Sequence, residues 1–325
     1  MEREQVAALL AGAEGYLSGE EMSRALGVTR AAVWKEIEAL REAGWPIQSS
    51  TRKGYRLAGP PPVLSAAYIS AMLPPGNLFA GKVLVEPLVD STNTRLKTMA
   101  AAGAPTGAAL LAEEQSGGRG THGRSFQSPK GDGLYLSVLL RPGLTRLQDL
   151  LTLTGWVGVA AREAVEEASG APVDIKWLND LYLNGKKLCG ILTELSFLGE
   201  SGEPDYVVAG MGVNMSQTAE TFRAQGLGDI ATSLALEGWP VERNHLAVCL
   251  LKALDRLSRG FPAERADYLA RYRARCITLG RRVSFEAAGG VLTGTARGVD
   301  DAFALQVTGE DGGEYAVSSG TVTML

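Results

Sequence analysis

The chain has 325 residues, enough for two or three domains, and 45% of them are hydrophobic, an ordinary fraction for a globular protein. It contains no uncharged apolar run of about 18 residues, and its charged N-terminus lacks a secretory signal, so we expect a cytoplasmic protein without a membrane span. The three cysteines and two histidines show no metal-ligand spacing, so we expect no zinc site. A formal net charge of −4 argues against a protein that coats nucleic acid with its whole surface, but it allows a small DNA-binding module.

Residues 1–59 predict a separate helical domain that ends in a small hairpin. After a first short helix, Ser18 and Glu21 have the spacing of a capping box that begins a second helix. Gly27 ends that helix, and Thr29 can cap a third and longer one. Two helices joined by a turn that contains glycine form a helix-turn-helix.

The third helix of this domain has an apolar face and an opposite face that can contact DNA. Val33, Ile37 and Leu40 repeat at helical spacing and should pack inward. The hairpin that follows has a basic tip, as the wing of a winged helix does, so we predict DNA binding through the start of the helix and the wing. A helical protein-interaction module is the alternative. The candidate DNA-binding residues are Ser18, Thr29, Arg30, Ala31, Trp34, Lys35, Arg52 and Lys53.

A proline-rich linker, residues 60–64, leads into a central domain predicted at residues 65–275. The strand-like run at 81–88 ends in Asp90-Ser91-Thr92-Asn93-Thr94, where Ser91 or Thr92 can cap a helix. Small polar side chains at a helix N-terminus also suit a neutral polar group of a ligand. The stretch therefore predicts either a ligand contact or a helix cap alone.

A glycine-rich loop, Gly118-Arg119-Gly120-Thr121-His122-Gly123-Arg124, lies between two strand-like runs at 108–115 and 134–140. Its glycines let backbone N–H groups approach a ligand, and its two arginines supply permanent cations, which together suit a phosphate or a carboxylate. The glycine spacing matches the dinucleotide-binding fingerprint, but the breakers at 128–133 oppose the helix that this fingerprint requires. We therefore predict a flap that orders over an anion, with a solvated basic surface loop as the alternative.

Polar side chains are embedded in an apolar hairpin at 175–195, whose turn is Asn184-Gly185, the signature of a type I′ turn. Such side chains cost desolvation energy unless they are paired or used. In the alternative interpretation they form an internal polar network, with Lys176 paired to Asp180 or Glu194. The site candidates in this hairpin are Lys176, Asn179, Asp180 and Lys187.

The remaining segments predict scaffold. A strand at 206–215 carries glycines, which indicate close approach of a ligand or of another backbone. One long helix is predicted at 147–169, with Leu151, Val157, Ala160, Ala161 and Ala164 in the core, and further helices at 230–236, 241–259 and 263–272. Residues 276–325 predict five short strands that form a small SH3-like barrel.

Five motifs in this order resemble those of the bifunctional biotin–protein ligases that also repress the biotin operon. The motifs are Asp90-Ser91-Thr92-Asn93, Gln115 with Gly118-Arg119-Gly120 and Gly123-Arg124, Lys176-Trp177-x-Asn179-Asp180-Leu181, Lys187-Leu188-x-Gly190-Ile191-Leu192, and Gly210-x-Gly212-x-Asn214. The resemblance covers nearly the whole chain and implies an α+β fold. That fold has an N-terminal winged helix-turn-helix, a central mixed β-sheet with helices like that of biotin/lipoate ligases and class II synthetases, and a C-terminal SH3-like β-barrel.

The resemblance implies an enzyme that condenses biotin with ATP to biotinoyl-5′-adenylate and then transfers biotin to a lysine of a biotin carboxyl carrier protein. It also implies operator binding, a homodimer when biotinoyl-adenylate is bound, and Mg²⁺ that arrives with ATP near Asp180 rather than at a cluster of protein ligands. The implied biotin-binding residues are Ser91, Thr92, Asn93, Gln115, Arg119, Gly120, Thr121, Lys187 and Gly190. The implied nucleotide-binding residues are Arg124, Lys176, Asn179 and Asn214, and the implied catalytic residues are Lys187, Asp180 and Arg119, with Asp180 helping the acceptor amine to lose its proton.

The sequence departs from the family pattern in three places. Thr121-His122 replaces the second arginine of the loop and its neighbour, Leu178 stands where proline is usual, and no arginine follows the last strand. A ligand contact from the C-terminal domain is therefore not carried over from the family. Two other functions remain as alternatives, which are a biotin-sensing repressor without ligase activity and a lipoate–protein ligase.

Overall fold

The computed structural model of the protein describes residues 2–141, 146–199, 203–287 and 290–325. The side chain of His122, one of the loop residues considered above, lies outside the described part. The N-terminal unit consists of α1 (Glu2–Gly12), α2 (Gly19–Leu26), α3 (Arg30–Glu42), β1 (Ile47–Ser50) and β2 (Gly54–Leu57). Across the described ranges, none of the helices is both long and apolar enough to cross a bilayer.

The predicted winged helix-turn-helix is confirmed in its details. Ser18 caps α2 by accepting from the Glu21 N–H, the Glu21 carboxylate accepts from the Ser18 N–H at 2.7 Å, and Gly27 ends the helix in the left-handed region. Thr29 caps α3. The antiparallel hairpin of β1 and β2 supplies the wing, and a backbone bridge from Leu17 to the second wing strand ties it to the helices.

A buried side chain of the central domain, Asn244, makes several of the hydrogen bonds that hold the linker. Asn244, 1% exposed, donates from Nδ2 to the carbonyl oxygens of Pro61 and Val63 and accepts from the Ser65 N–H. Helix α4 (Ala66–Met72) then packs on α1 through Tyr68, so the first helix after the linker belongs in part to the core of the winged helix.

The central domain is a seven-stranded mixed sheet in the order β3-β4-β5-β9-β8-β7-β6. Only β3 and β4 pair in parallel, and the other neighbours are antiparallel. The strands are β3 (Val83–Glu86), β4 (Ala109–Ala112), β5 (Gly133–Leu140), β6 (Asp174–Lys176), β7 (Asp180–Leu183), β8 (Lys186–Leu198) and β9 (Glu203–Asn214). The helices are α5 (Thr92–Ala101), α6 (Leu147–Leu150), α7 (Leu153–Ser169), α8 (Ala219–Ala224), α9 (Arg243–Gly260) and α10 (Arg265–Arg275).

The two faces of this sheet have different cover. One face packs on α7 and α9, and this layer contains most of the apolar core, including Trp156, which is fully buried. The other face is covered at one end by α5, where Leu96 meets Leu110 and Val208. At its other end the second face is not covered by α5 and forms the floor of a cavity.

Four predictions about this domain are corrected by the structure. The single strand predicted through 175–183 is two short strands, β6 and β7, joined by a turn at 177–179. The long helix predicted at 147–169 is broken after α6, where the Thr152 N–H and hydroxyl both donate to the Asp149 carbonyl, and Leu151 is 66% exposed instead of buried.

The helix predicted at 230–236 does not form, because the segment pairs with β8 instead. The Lys187 N–H donates to the Ile230 carbonyl at 2.8 Å, and the Thr232 N–H donates to the Lys187 carbonyl at 2.9 Å. Helix α8 precedes this segment and was not predicted. Backbone pairing with a distant strand overrides local helix propensity here.

The five predicted C-terminal strands are confirmed as β10 (Arg282–Ala287), β11 (Gly290–Val299), β12 (Leu305–Gly309), β13 (Glu314–Val317) and β14 (Val322–Met324). They form an antiparallel sheet in the order β13-β12-β11-β10-β14, which is open between β13 and β14 among the described pairs. Trp177 fastens this sheet to the central domain, since its indole N–H donates to the Phe303 carbonyl at 2.8 Å and its backbone N–H donates to Thr278 Oγ1 at 3.0 Å.

Candidate active site

One cavity on the open face of the central sheet collects the predicted ligand-binding residues. It lies between the start of α5, the glycine loop, the β6–β8 strands and the loop before β14. The predicted residues that line it are Ser91, Thr92, Asn93, Gln115, Arg119, Gly120, Thr121, Arg124, Lys176, Asn179, Asp180, Lys187 and Gly190.

Asn214 is not among the residues that line this cavity. The Asn214 amide instead donates to the Thr232 carbonyl at 3.0 Å and accepts from Gln217, so its assignment to the nucleotide remains a prediction without geometric support.

The floor of the cavity at the start of α5 is polar and neutral. Ser91 holds the N-cap position but makes no capping hydrogen bond with its side chain. Gln115, from the loop after β4, takes over this role because its Oε1 accepts from the Thr92 N–H at 2.8 Å. The hydroxyl of Ser91, a residue only 3% exposed, is thereby left to face the cavity, which favours the ligand interpretation over the cap alone.

Glycines let the cavity extend down to the backbone of the sheet. A Cβ at Gly210 would collide with Asn93 Oδ1, and a Cβ at Gly212 would collide with the ring of Phe126. Phe126 closes the cavity from the loop side and meets the buried ring of Tyr135 edge-on, with the ring centroids 6.5 Å apart. The close approach at these strand glycines is therefore made by side chains that line the cavity, where the sequence predicted a ligand or another backbone.

The glycine loop folds as a small hairpin and contains no α-helix, as expected from the breakers that follow it. The Gly120 N–H donates to the Arg124 carbonyl at 2.7 Å and the Phe126 N–H donates to the Gly118 carbonyl at 2.9 Å, around a 3₁₀ turn at Thr121–Gly123. The side chains of Arg119 and Arg124 are exposed and line the cavity.

A cationic cluster faces the neutral floor. Lys187 Nζ lies 2.7 Å from Asp180 Oδ1. Lys176 contacts the hydroxyl of Tyr182 at 3.4 Å, and its ammonium lies 5.4 Å from the Tyr182 ring centroid. Burial lowers the pKa of Lys176, Asp180 opposes this shift, and Lys187 and Arg124 add to it. Among the described residues no ion pair joins Lys176 to Asp180 or Glu194, whose salt-bridge partners are Lys187 and Lys97. The predicted pairing of Lys176 within a polar network is therefore wrong, although Asp180 is close enough to affect its pKa.

A β-bulge brings Lys187 to this face of the sheet. Asp180 pairs with Gly190 and Leu181 with Cys189, but Tyr182 pairs with Lys187, so that Leu188 is the extra residue. Residues directly opposite in antiparallel strands point to the same face. Without the bulge, regular pairing would place Lys187 opposite Leu183, on the buried apolar face.

Sequence reasoning missed several residues of the site. Ser137 is fully buried at the base of the cavity and Ser128 bonds to Gln115 Nε2 at 2.7 Å. Thr321, in the loop before β14, lines the cavity and accepts from Arg124 Nη2 at 3.0 Å, so the C-terminal domain does reach the site. A serine inside the apolar run of β5 was the one available signal, since a buried hydroxyl requires a partner.

Most of the candidate DNA-binding residues are exposed. Val33, Ile37 and Leu40 are buried as predicted, and the side chain of Trp34 is 58% exposed. Thr29, Arg30, Ala31 and Lys35 are exposed on the same helix, and Arg52 and Lys53 are exposed at the wing tip. Ser18 is half-buried because it caps α2.

Three protein-family models match the chain in the order of its structural units. The model described as HTH domain matches residues 2–56, the Biotin/lipoate A/B protein ligase family matches residues 85–214, and the Biotin protein ligase C terminal domain matches residues 278–325.

Proteins named bifunctional ligase/repressor BirA are similar over nearly the full length. The one from Bacillus spizizenii is 34% identical over 93% of this chain and 92% of its own length, and the one from Escherichia coli is 35% identical over 92% and 89%. The solved structure of a biotin protein ligase from Aquifex aeolicus, in complex with biotin and ATP, matches with a TM-score of 0.61 and 27% identity, over 75% of this chain and all of that one.

The fold and the cavity thus define a protein ligase of the biotin/lipoate class that carries a DNA-binding domain. The chain belongs to the family of bifunctional ligase/repressor BirA proteins.

Proposed function

We propose that this protein activates biotin with ATP to give biotinoyl-5′-AMP and pyrophosphate, transfers biotin to a lysine of a biotin carboxyl carrier protein, and represses transcription by binding operator DNA. The observation that carries the catalytic half is the charge pattern of the cavity. Four cationic side chains and one carboxylate line it next to a neutral, hydrogen-bonding floor, and the cationic residues are Arg119, Arg124, Lys176 and Lys187.

This pattern supports one orientation for the substrates. The ureido ring of biotin is neutral and carries both N–H donors and a carbonyl acceptor, which suit the hydroxyl and amide groups of Ser91, Thr92 and Gln115. The carboxylate of biotin and the phosphates of ATP are anionic and suit the end of the cavity that holds Lys176 and Lys187.

The activation step brings two anions together, and the fixed cations offset their repulsion. No nucleophilic side chain is needed, because an oxygen of the biotin carboxylate attacks the α-phosphorus of ATP and pyrophosphate leaves. Cations that are already in place stabilise the charge that develops on the phosphate oxygens without reorganising. The glycine loop, with Phe126, would then shield the mixed anhydride from water.

Mg²⁺ is proposed to enter with ATP. Asp180 is the single carboxylate among the residues that line the cavity, and Mg²⁺ in such sites is held mainly by substrate phosphates with one or two carboxylates. The donor set therefore fits a metal that belongs to the nucleotide. When bound, Mg²⁺ would neutralise phosphate charge.

Asp180 is also our candidate for the second step, in which the acceptor lysine must lose a proton. Its carboxylate forms an ion pair with Lys187. Once Lys187 turns to the adenylate, Asp180 is free to accept a hydrogen bond from the incoming amine.

For the repressor half, we propose that Arg30, Trp34 and Lys35 enter the major groove and that Arg52 and Lys53 contact phosphate.

Binding of biotinoyl-adenylate would favour a homodimer. Among the described strands β3 lies at the edge of the sheet, and its Leu84 is 42% exposed, which supports a contact between two copies. We also propose that the protein acts in the cytoplasm, where operator DNA and the carrier protein would be available to it.

The test is ATP–pyrophosphate exchange with and without biotin, followed by transfer of labelled biotin to carrier protein. Biotin-dependent exchange and transfer are expected. Tight biotin binding without exchange would replace the ligase with a sensing repressor and would direct attention to Thr121. Exchange that lipoate supports better than biotin would replace it with a lipoate ligase.

A further inference from the structure

One hydrogen bond joins the glycine loop to the C-terminal domain beside the cavity. Arg124 Nη2 donates to Thr321 Oγ1 at 3.0 Å, and both residues line the cavity. Among the residues that the structure describes, Thr321 is the hydrogen-bond partner of this guanidinium, and no carboxylate forms an ion pair with it. A guanidinium has five N–H donors, so a single bond to a hydroxyl leaves its charge and most of its donors for a ligand.

Arg124 needs such a partner because it is exposed and lies near other cations. Burial lowers the pKa of Lys176, and the charges of Lys187 and Arg124 lower it further, so these three cations repel one another. Asp180, the carboxylate at this end of the cavity, is paired with Lys187. Repulsion and side-chain entropy would both favour conformations in which Arg124 points away into water. A neutral hydroxyl opposes them without neutralising the arginine.

The hydroxyl that holds Arg124 belongs to a well-anchored part of the C-terminal domain. Thr321 directly precedes β14, and the next residue, Val322, is 4% exposed and pairs with Phe285 of β10. The C-terminal sheet is in turn fastened to the central domain through Trp177. The C-terminal domain therefore offers an acceptor of fixed position to a side chain on a glycine-rich loop.

We propose that Thr321 is a positioning residue for the activation step, because it holds the Arg124 guanidinium at the cavity before ATP binds. The arginine then meets the phosphates without first losing side-chain entropy. This inference rests on the proposed function, in which Arg124 binds the nucleotide. It goes beyond that function because it gives the C-terminal domain a part in a reaction whose other proposed residues belong to the central domain.

The substitution Thr321→Val tests the proposal with little change in side-chain shape, since a methyl group replaces the hydroxyl. We expect KM for ATP in biotin-dependent pyrophosphate exchange to rise about threefold to tenfold, the effect of one neutral hydrogen bond, with little change in kcat. Biotin affinity, measured by calorimetry on the full-length protein, should stay within about twofold of the wild type because the neutral floor is untouched. A general loss of structure would instead weaken both ligands and lower the melting temperature.

Two further variants separate the hydroxyl from the rest of the C-terminal domain. Thr321→Ser keeps an acceptor for Arg124 and should keep KM for ATP within about twofold of the wild type. Thr323→Val is the matched control, since this exposed threonine pairs with Ser284 and is not among the residues that line the cavity. Its KM for ATP should equal that of the wild type.

A double-mutant cycle with Arg124→Ala shows whether Thr321 acts through the arginine. Arg124→Ala alone should raise KM for ATP by more than Thr321→Val does, because it removes the charge as well as the hydrogen bond. In the Arg124→Ala background, Thr321→Val should change KM by less than about twofold, since the side chain that it positions is gone.

Four results would overturn the proposal. Equal KM for ATP in Thr321→Val and Thr323→Val would show that the hydroxyl positions nothing, and equal losses in Thr321→Val and Thr321→Ser would show that shape matters and the hydroxyl does not. An unchanged KM in Arg124→Ala would show that ATP does not use the arginine. An undiminished effect of Thr321→Val in the Arg124→Ala background would show that Thr321 acts elsewhere. Failure of the proposed function is distinguishable, because the wild type itself would then lack biotin-dependent exchange.

Discussion

Replacing Lys187 with alanine tests the cationic end of the site most directly. Its ammonium is 2.7 Å from Asp180 Oδ1, and the two side chains are 31% and 20% exposed. In the substitution Lys187→Ala the cavity loses a cation, and Asp180 loses the partner that neutralises it. The free carboxylate would then repel the carboxylate of biotin and the phosphates of ATP.

The expected size follows from charge and geometry. A cation 4 Å from an anion is worth about 4 kcal/mol at an effective dielectric constant of about 20. Removal of one preorganised donor at a developing charge costs about 2.7–4 kcal/mol, or about 10²–10³ in rate. Because Arg119, Arg124 and Lys176 stay in place, we expect kcat/KM for biotin-dependent exchange to fall by about 10²–10³ without reaching zero.

The measurement is pyrophosphate exchange on purified Lys187→Ala, with thermal unfolding as a check of the fold. Lys186→Ala is the matched control, since the neighbouring lysine donates to the Gly228 carbonyl and does not line the cavity. It should retain exchange activity within about threefold of the wild type. If Lys187→Ala kept a comparable rate with an unchanged melting temperature, the assignment of Lys187 to the anions would be refuted.

Three further predictions concern other parts of the molecule. Lys35→Ala should weaken operator binding and reduce its salt dependence by about one phosphate contact, while the rate of ligation stays unchanged. Band-shift assays and biotin-transfer assays on one preparation check this, and a parallel loss of DNA binding and of ligation would contradict it. We propose that the protonated form of Lys176 holds the anion, and burial lowers the pKa of this lysine below the ordinary 10.5. The rate of exchange should therefore decline on the alkaline side, at a pH below 10.5. Lys176→Arg should move the decline to higher pH, whereas coincident pH profiles would exclude Lys176 as its cause. Asn244→Ala should lower the free energy of unfolding by about 1–3 kcal/mol because the backbone groups of Pro61, Val63 and Ser65 lose their partner. Urea titration measures this, and an unchanged midpoint would show that these three hydrogen bonds do not contribute to stability.

The elements that the sequence predicted well are those whose signals are local. The capping box of Ser18 and Glu21 consists of bonds within one turn, and Asn184-Gly185 adopts positive φ at both residues of its turn, as the type I′ hairpin needs. The breakers after the glycine loop correctly excluded a helix there. In each case the backbone conformation is decided by residues within four positions of one another.

The predictions that failed depended on distant partners. The 230–236 segment has helix-forming residues but pairs with the backbone of Lys187. Leu151 fits the apolar period of the following helix, yet the break at Thr152 turns it outward. Sequence periodicity predicts the buried face of a helix only as far as that helix continues. It does not show where tertiary contacts end the helix.

For the active site, the residue types could be read from the chain and their arrangement could not. Lysine and aspartate in an apolar hairpin indicated a site, because burying them is costly unless they are paired or used. Their common face depends on the bulge at Leu188, and a shift of one residue would place Lys187 in the core. The contact of Arg124 with Thr321 joins residues almost 200 positions apart. These features arise only when separate strands and domains pack, because each side chain's partner is then chosen by the fold and not by its neighbours in the chain.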